Sequence, residues 1–481
     1  MKNLATALLA TALALPVSGC ITLKATPHDF GCGGRLETYA STYPDTPLFA
    51  AIRRDAGQDF HDREPDTHGF GGEASLKPDL QQVLAQALVE SADKENLRDP
   101  DAAPAMLLLS GGGGWGAFGA GFMQAWSHDS DAPMPRLAAV TGISTGALQG
   151  LFVASGRIDD MADTYAIQQQ SELANERSYW RASQTGSLYD TRPLRALVES
   201  KLCPSAEGGK CSMLQALGRD NAPLLLIGMM EASSGDLRIV NITRMVREHT
   251  RTAGWDDGEQ NRSLARCVAG IALASASVPA QLNPVRIDGK AYTDGGVRSS
   301  VFAALVGRSS RDAATSIRQK DGASAPTPQV FIIRNGPTVV APDRKVDGTA
   351  NVDARPDIVR IAGRSYSTIV NQNEVGSIAL IRQIYPDRPI LLATADGYNT
   401  PQDIGGRLWP KRDPHASDGE DGTCGHAGGG MVFDPRFMRC LVRWGRWKYA
   451  NFADQGWIVI DQPEEPGTML PSAPTRSSAG N

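Results

Sequence analysis

Leu137-Ala138-Ala139-Val140 is a short apolar run that leads through Thr141 into Gly142-Ile143-Ser144-Thr145-Gly146, and a helical pattern follows from Ala147 to Ala154. In a G-x-S-x-G junction a strand turns sharply into a helix. The serine is left exposed at the bend, and the glycines relieve crowding where backbone segments cross. Ser144 is therefore the first candidate functional residue. The rest of the chain repeats the alternation. Met106–Leu109, Pro223–Met229, Leu237–Ile242 and Val330–Ile333 read as buried strands, and Leu80, Val83, Leu84, Ala87 and Leu88 recur at helical spacing. This pattern predicts a three-layer α/β/α sandwich with a mostly parallel central sheet.

Composition narrows the function classes. The 481 residues carry 48 Lys+Arg against 53 Asp+Glu, a net charge of −5, which argues against a nucleic-acid partner. A hydrophobic content of 41% excludes global disorder. No apolar run is long enough for a polytopic membrane protein. The first residues read differently from the rest. Lys2, the apolar stretch Leu4–Leu15 and Val17-Ser18-Gly19-Cys20 resemble a lipoprotein signal and its lipobox. Cleavage there would expose a lipidated Cys20, and two or more acyl chains suffice for stable membrane anchoring. With Ile21 rather than Asp after the cysteine, the resemblance points to the outer membrane of a diderm cell envelope. Six further cysteines suit an exported protein with disulfides; the short spacings favour Cys203–Cys211 and Cys424–Cys440, with Cys32 and Cys267 left over.

Upstream of Ser144 lies Ser110-Gly111-Gly112-Gly113-Gly114-Trp115-Gly116. Consecutive glycines let backbone N–H groups face one cavity, as an oxyanion hole requires. Gly111, Gly113 and Gly116 also satisfy the dinucleotide fingerprint formally, but no acidic ribose ligand stands at the end of the next strand. A P-loop would need a lysine after the glycines, and none is there. Downstream, Tyr292-Thr293-Asp294-Gly295-Gly296 places a carboxylate beside two glycines; taken alone, such a segment is a turn.

Taken together, Gly111–Gly116, Gly142-Ile143-Ser144-Thr145-Gly146 and Asp294-Gly295-Gly296 resemble, in order and setting, the motifs of patatin-like phospholipases. Ala274-Ser275-Ala276-Ser277-Val278-Pro279 and Leu188–Leu194 resemble further family segments, and the similarity runs over about residues 104 to 390, extending toward 455. The resemblance implies a Ser–Asp dyad hydrolysing acyl esters of lipids. Ser144 would be the nucleophile, Asp294 the general base, and the amides of Gly112, Gly113 and Gly114 the oxyanion donors. It implies no cofactor and no metal, a lipid or phospholipid substrate, and no nucleic-acid partner; it names no protein partner. Two positions depart from the family. Trp115 stands where most members have Arg or Lys, and Arg298-Ser299 follows Asp-Gly-Gly-Val where many continue with Asn and Pro. Trp115, Phe118 and Phe122 suit either an acyl pocket or the core.

The expected organisation is a signal segment at 1–19, an N-terminal extension with a short helix at 20–100, the hydrolase domain at 101–460 and a disordered tail at 461–481. Two other functional readings use the same residues. One is a Ser-Asp-His esterase drawing on His415 or His426, which follow Ser144 and Asp294 in the order of an α/β-hydrolase triad. The other is a non-catalytic lipid-binding or envelope-scaffolding lipoprotein.

Overall fold

A computed structural model describes residues 27–40, 80–95, 103–340, 358–409, 423–424 and 433–461. Its strands are β1 (His28–Phe30), β2 (Tyr39–Ala40), β3 (Ala105–Leu109), β4 (Leu137–Ile143), β5 (Asn175–Glu176), β6 (Tyr189–Asp190), β7 (Leu224–Glu231), β8 (Leu237–Asn241), β9 (Val285–Ile287), β10 (Lys290–Asp294), β11 (Gln329–Ile333), β12 (Ile390–Ala393), β13 (Gln402–Ile404), β14 (Arg407–Trp409) and β15 (Ile458–Ile460). Eleven of them form one sheet in the order β1-β9-β10-β7-β4-β3-β11-β12-β15, with β8 on the other edge of β7 and β2 beyond it. The centre, β7-β4-β3-β11-β12, is parallel, while β10, β8 and β15 are antiparallel to their neighbours. Four of the apolar runs read from sequence are the central strands β3, β4, β7 and β11; Leu237–Ile242 is β8, antiparallel on the other edge of β7, and β12 was not among the runs read.

Helices cover both faces of the sheet. Those used below are α1 (Leu80–Glu95), α2 (Gly116–Ser127), α3 (Thr145–Ala154), α4 (Gly258–Ser275), α5 (Ala303–Asp321), α6 (Ile358–Ile384) and α7 (Pro435–Asn451). Strand β3 shows how one short sequence serves two layers, because successive side chains of a strand point to opposite faces. Leu107 and Leu109 pack with Phe118, Phe122 and Trp126 of α2, whereas Met106 and Leu108 pack with Leu84 and Leu88 of α1 and Val306 of α5. A strand buried on both faces needs apolar residues throughout, and all five residues of β3 are buried. This is the expected three-layer α/β/α arrangement.

The first described residues differ from the loose segment that their sequence suggests. His28–Phe30 pairs in parallel with Val285–Ile287, and Tyr39–Ala40 pairs with β8. A three-residue strand spelled His-Asp-Phe has no periodicity to read; its partner strand and a disulfide define it. That disulfide, Cys32–Cys267, joins the segment to α4 across 235 positions, and Cys203–Cys211 and Cys424–Cys440 form the other two. The expected signal segment, Cys20 and the expected tail lie outside the described residues, as do His415 and His426.

Candidate active site

Ser144 sits where β4 ends and α3 begins, with φ 56° and ψ −127°. Positive φ is costly for a residue with a Cβ and persists only where the surroundings hold it. Here the Ser144 N–H donates to Ser275 Oγ at 2.9 Å, and Ser275 Oγ donates in turn to the Gly228 carbonyl of β7 at 2.5 Å. The start of α3 crosses the strand ends at backbone contact: a Cβ on Gly146 would lie 2.2 Å from the Leu109 carbonyl oxygen, and one on Gly142 2.3 Å from that of Gly146. Only glycine fits either position.

Asp294 reaches Ser144 through the sheet topology. Strand β7 is paired along one edge first by β4, up to Ile143 opposite Gly228, and then by β10, whose last residue Asp294 is opposite Met229. Because β4 is parallel and β10 antiparallel to β7, the two strands run toward each other and end one residue apart. Ser144 and Asp294 therefore meet although 150 positions separate them in sequence. The Asp294 carboxylate is 2% exposed and accepts the Gly296 N–H at 2.7 Å. Burial pushes its pKa up to about 6, while hydrogen bonds from the Ser144 side chain and the Gly296 N–H oppose that rise. The Asp294 N–H donates to the Ser277 carbonyl, which fixes the strand end. Gly295 lies against the Gly228 carbonyl, so both glycines of this turn stand at the strand junction.

The glycine run follows β3. Gly111 abuts Ser144: a Cβ there would lie 3.3 Å from the Ser144 Cβ. Gly112 has φ 149°, and a Cβ on it would meet the Asn335 carbonyl oxygen at 1.9 Å. Gly113–Trp115 form one 3-10 turn leading through Gly116 into α2. Among the described residues no acceptor takes the N–H of Gly112, Gly113 or Gly114. A buried polar network sets the loop. Asn335 donates from its backbone N–H to Ser110 Oγ (3.1 Å) and from Nδ2 to the Ser110 carbonyl (2.8 Å) and Gln149 Oε1 (2.8 Å), while Gln149 Nε2 donates to the Gly116 carbonyl (2.7 Å).

The other sequence candidates are placed elsewhere. Phe118 and Phe122 are fully buried and belong to the core. Trp115 is half-buried and meets Tyr398 and Phe437 edge-on, each at a centroid distance of 4.9 Å. The place of a basic residue is thus taken by an aromatic contact that fastens the glycine loop to α7. Arg298 is exposed just after the 295–297 turn. The described histidines bond elsewhere: His28 to Thr191, His128 to Asp159 and His249 to Asn261. In the Leu188–Leu194 segment the N–H of Thr191 is held by Asn283 Oδ1 at 3.0 Å, which ties it to the loop before β9.

Ser275, Gln149 and Asn335 were not singled out from sequence. Gln149 was detectable, being a lone amide within Ala147–Ala154, a helix segment otherwise of small and apolar residues. Asn335 follows an apolar strand in a turn-like Arg334-Asn335-Gly336, and Ser275 stands in the Ala274–Pro279 block; neither pattern distinguishes them from ordinary turn or small residues.

The arrangement is a buried serine at a strand-to-helix turn, a buried carboxylate and, next to the serine, a glycine loop. The model of the patatin-like phospholipase family matches residues 107–306, a span that contains all three elements. Over those residues the chain is similar to patatin-like phospholipases. Among solved structures, one that resembles it is the crystal structure of VipD from Legionella pneumophila, at 13% identity, covering 75% of this chain and 69% of that one with a TM-score of 0.27. No curated protein matches it at a significant level.

Proposed function

We propose that the protein is a lipid acyl hydrolase that cleaves acyl esters through Ser144 and Asp294. The observation that carries this reading is the meeting of β4 and β10 on one edge of β7, which brings Ser144 beside the buried Asp294 carboxylate within the residues that match the patatin-like phospholipase family. A serine hydroxyl is a poor nucleophile until a neighbour takes its proton. Asp294, ionised above about pH 6, accepts the Ser144 proton as Oγ attacks the acyl carbonyl. The amides of Gly112, Gly113 and Gly114 receive the oxyanion. Collapse breaks the ester C–O bond, the departing alkoxide takes the proton back from Asp294, and a water activated by the same carboxylate releases the fatty acid from Ser144. Esters suit this pair better than amides, because an alkoxide leaves with less proton assistance.

A fluorophosphonate probe tests the reading directly, since it reports an activated serine whatever the natural substrate. Wild-type protein is expected to label at one site and Ser144→Ala to lose that label together with short-chain ester hydrolysis. Labelling that persists in Ser144→Ala, or a wild type that neither labels nor hydrolyses, leaves a non-catalytic lipid-binding protein as the better description.

The proposal extends to location. The lipobox-like Val17-Ser18-Gly19-Cys20 supports acylation at Cys20 and an envelope membrane anchor. Mass spectrometry of the mature N-terminus is expected to find diacylglycerol on Cys20, and Cys20→Ser to release the protein from the membrane fraction. An unmodified N-terminus would remove the anchor from this account.

A further inference from the structure

Ser110, the first residue after β3, is fully buried and held through all three of its polar atoms. Its N–H donates to the Ile333 carbonyl at 3.1 Å, which continues the ladder with β11. Its carbonyl accepts Asn335 Nδ2, and its Oγ accepts the Asn335 N–H. A hydroxyl has one proton to give. Ser110 Oγ gives it to the Gly111 carbonyl at 2.9 Å. The Gly111 carbonyl and the Gly112 N–H belong to one planar trans peptide and point in opposite directions. Holding the carbonyl on the Ser110 side therefore turns the Gly112 N–H the other way, where no acceptor among the described residues takes it. That peptide lies beside the nucleophile, since a Cβ on Gly111 would be 3.3 Å from the Ser144 Cβ and 3.9 Å from its Oγ.

A second feature reaches the same hydroxyl from 264 positions further along the chain. Glu374 of α6 pairs with Arg334, the residue after β11, at 3.3 Å, and both side chains are buried. Arg334 also donates to the Pro337 carbonyl and to Asn371 Oδ1. A buried ion pair is a poor source of stability, because desolvation offsets the attraction. Here Arg334 Nε and Glu374 Oε1 also lack an aligned hydrogen bond. Position accounts for the pair better than stability does, because the Glu374 carboxyl faces Ser110. Burial pushes that carboxyl above its ordinary range, and the Arg334 charge and the Ser110 hydroxyl oppose the rise.

We infer that Ser110 is a positioning residue of the oxyanion hole, which aims the Gly112 amide at the oxyanion, and that the Glu374–Arg334 pair acts on the glycine loop through it. This rests on the lipid-hydrolase reading and extends that site to three buried residues that work through the loop rather than on the substrate.

The test compares hydrolysis of a soluble short-chain ester by the full-length wild type, Ser110→Ala, Glu374→Gln and the double variant. The oxyanion exists only in the transition state, so Ser110→Ala is expected to lower kcat by roughly tenfold or more with KM unchanged. Glu374→Gln keeps the shape of the side chain and is expected to show a smaller loss with the same split. Because one residue acts through the other, the double variant should be hardly slower than Ser110→Ala alone. Ser309→Ala is the control. Ser309 of α5 is as deeply buried and donates to the Gln81 carbonyl at 3.1 Å, so its variant loses a buried hydroxyl and no rate. A kcat near wild type in folded Ser110→Ala, a loss that lies in KM, or losses that multiply in the double variant overturn the inference. If Ser110→Ala does not fold, the kcat and KM of Glu374→Gln decide in its place. A wild type that hydrolyses no ester removes the hydrolase reading and the inference with it, whereas an active wild type beside an unaffected Ser110→Ala removes the inference alone.

Discussion

Asp294→Asn is expected to lower ester hydrolysis by about a thousandfold or more while leaving the fold as stable as the wild type or more so. Asparagine keeps the size of the side chain and can still accept from Gly296 N–H, but it has no basic lone pair with which to take the Ser144 proton. The stability expectation follows from the direction of the shift. The folded-state pKa of Asp294 is raised to about 6 with burial as its largest cause, so ionisation is harder in the fold than in the unfolded chain. The resulting destabilisation is absent below the unfolded value near 3.8, grows as pH rises toward 6, and is complete above that. At pH 8 the neutral asparagine removes it. Activity has the opposite dependence, because the base acts only when ionised. Wild-type kcat/KM should therefore climb with pH and level off above about 6. Denaturant unfolding at pH 5 and 8, set beside the pH–rate profile, checks both signs. A folded Asp294→Asn protein that hydrolyses esters at near the wild-type rate would reduce Asp294 to a turn residue.

What could be read in advance and what could not divides by sequence distance. The strand-turn-helix around Ser144 is local: an apolar run, two glycines and a helical pattern stand within eighteen residues, Leu137 to Ala154, and each states its own requirement. Cys203–Cys211 and Cys424–Cys440 were legible because short loops limit the choice of partner; Cys32–Cys267 was not, since nothing near either residue names the other. The meeting of β4 and β10 on one edge of β7 is likewise a property of the sheet. Nothing in Lys290-Ala291-Tyr292-Thr293-Asp294 specifies that β10 runs antiparallel to β7 and stops with Asp294 opposite Met229. Asp-Gly-Gly alone reads as a turn, and only the family resemblance brought it to Ser144. The buried amides of Gln149 and Asn335 show a similar limit. Their role is to satisfy Ser110 and the Gly116 carbonyl, and that need exists only after the glycine loop has been folded against β11.

Gly112→Ala is the second substitution with a large expected effect, and it separates the glycine loop from the dyad. The new Cβ would lie 1.9 Å from the Asn335 carbonyl oxygen and 3.0 Å from the carbon behind it, at a φ of 149° that side chains with a Cβ rarely adopt. Backbone, not a flexible side-chain end, opposes it, so the loop itself must move. Loss of one oxyanion donor costs about 10²–10³ in rate, and displacing the whole loop should reach at least the lower end of that range. Overpacking adds a stability loss of about 1–3 kcal/mol. Gly156→Ala is the control for backbone strain: it also has positive φ, at 73°, but no atom lies within 4 Å of its Cβ and it follows the end of α3. That variant should lose a little stability and no rate. In Gly112→Ala the pH at which kcat/KM levels off should remain near 6, because the Asp294 carboxylate is set by its burial on β10 and by the Gly296 N–H, neither of which the loop supplies. A rate near wild type would mean that the amides of this loop do not hold the oxyanion. A shift of the pH profile along with the rate would mean that the loop acts through the Ser144–Asp294 pair, with the oxyanion donors to be sought elsewhere.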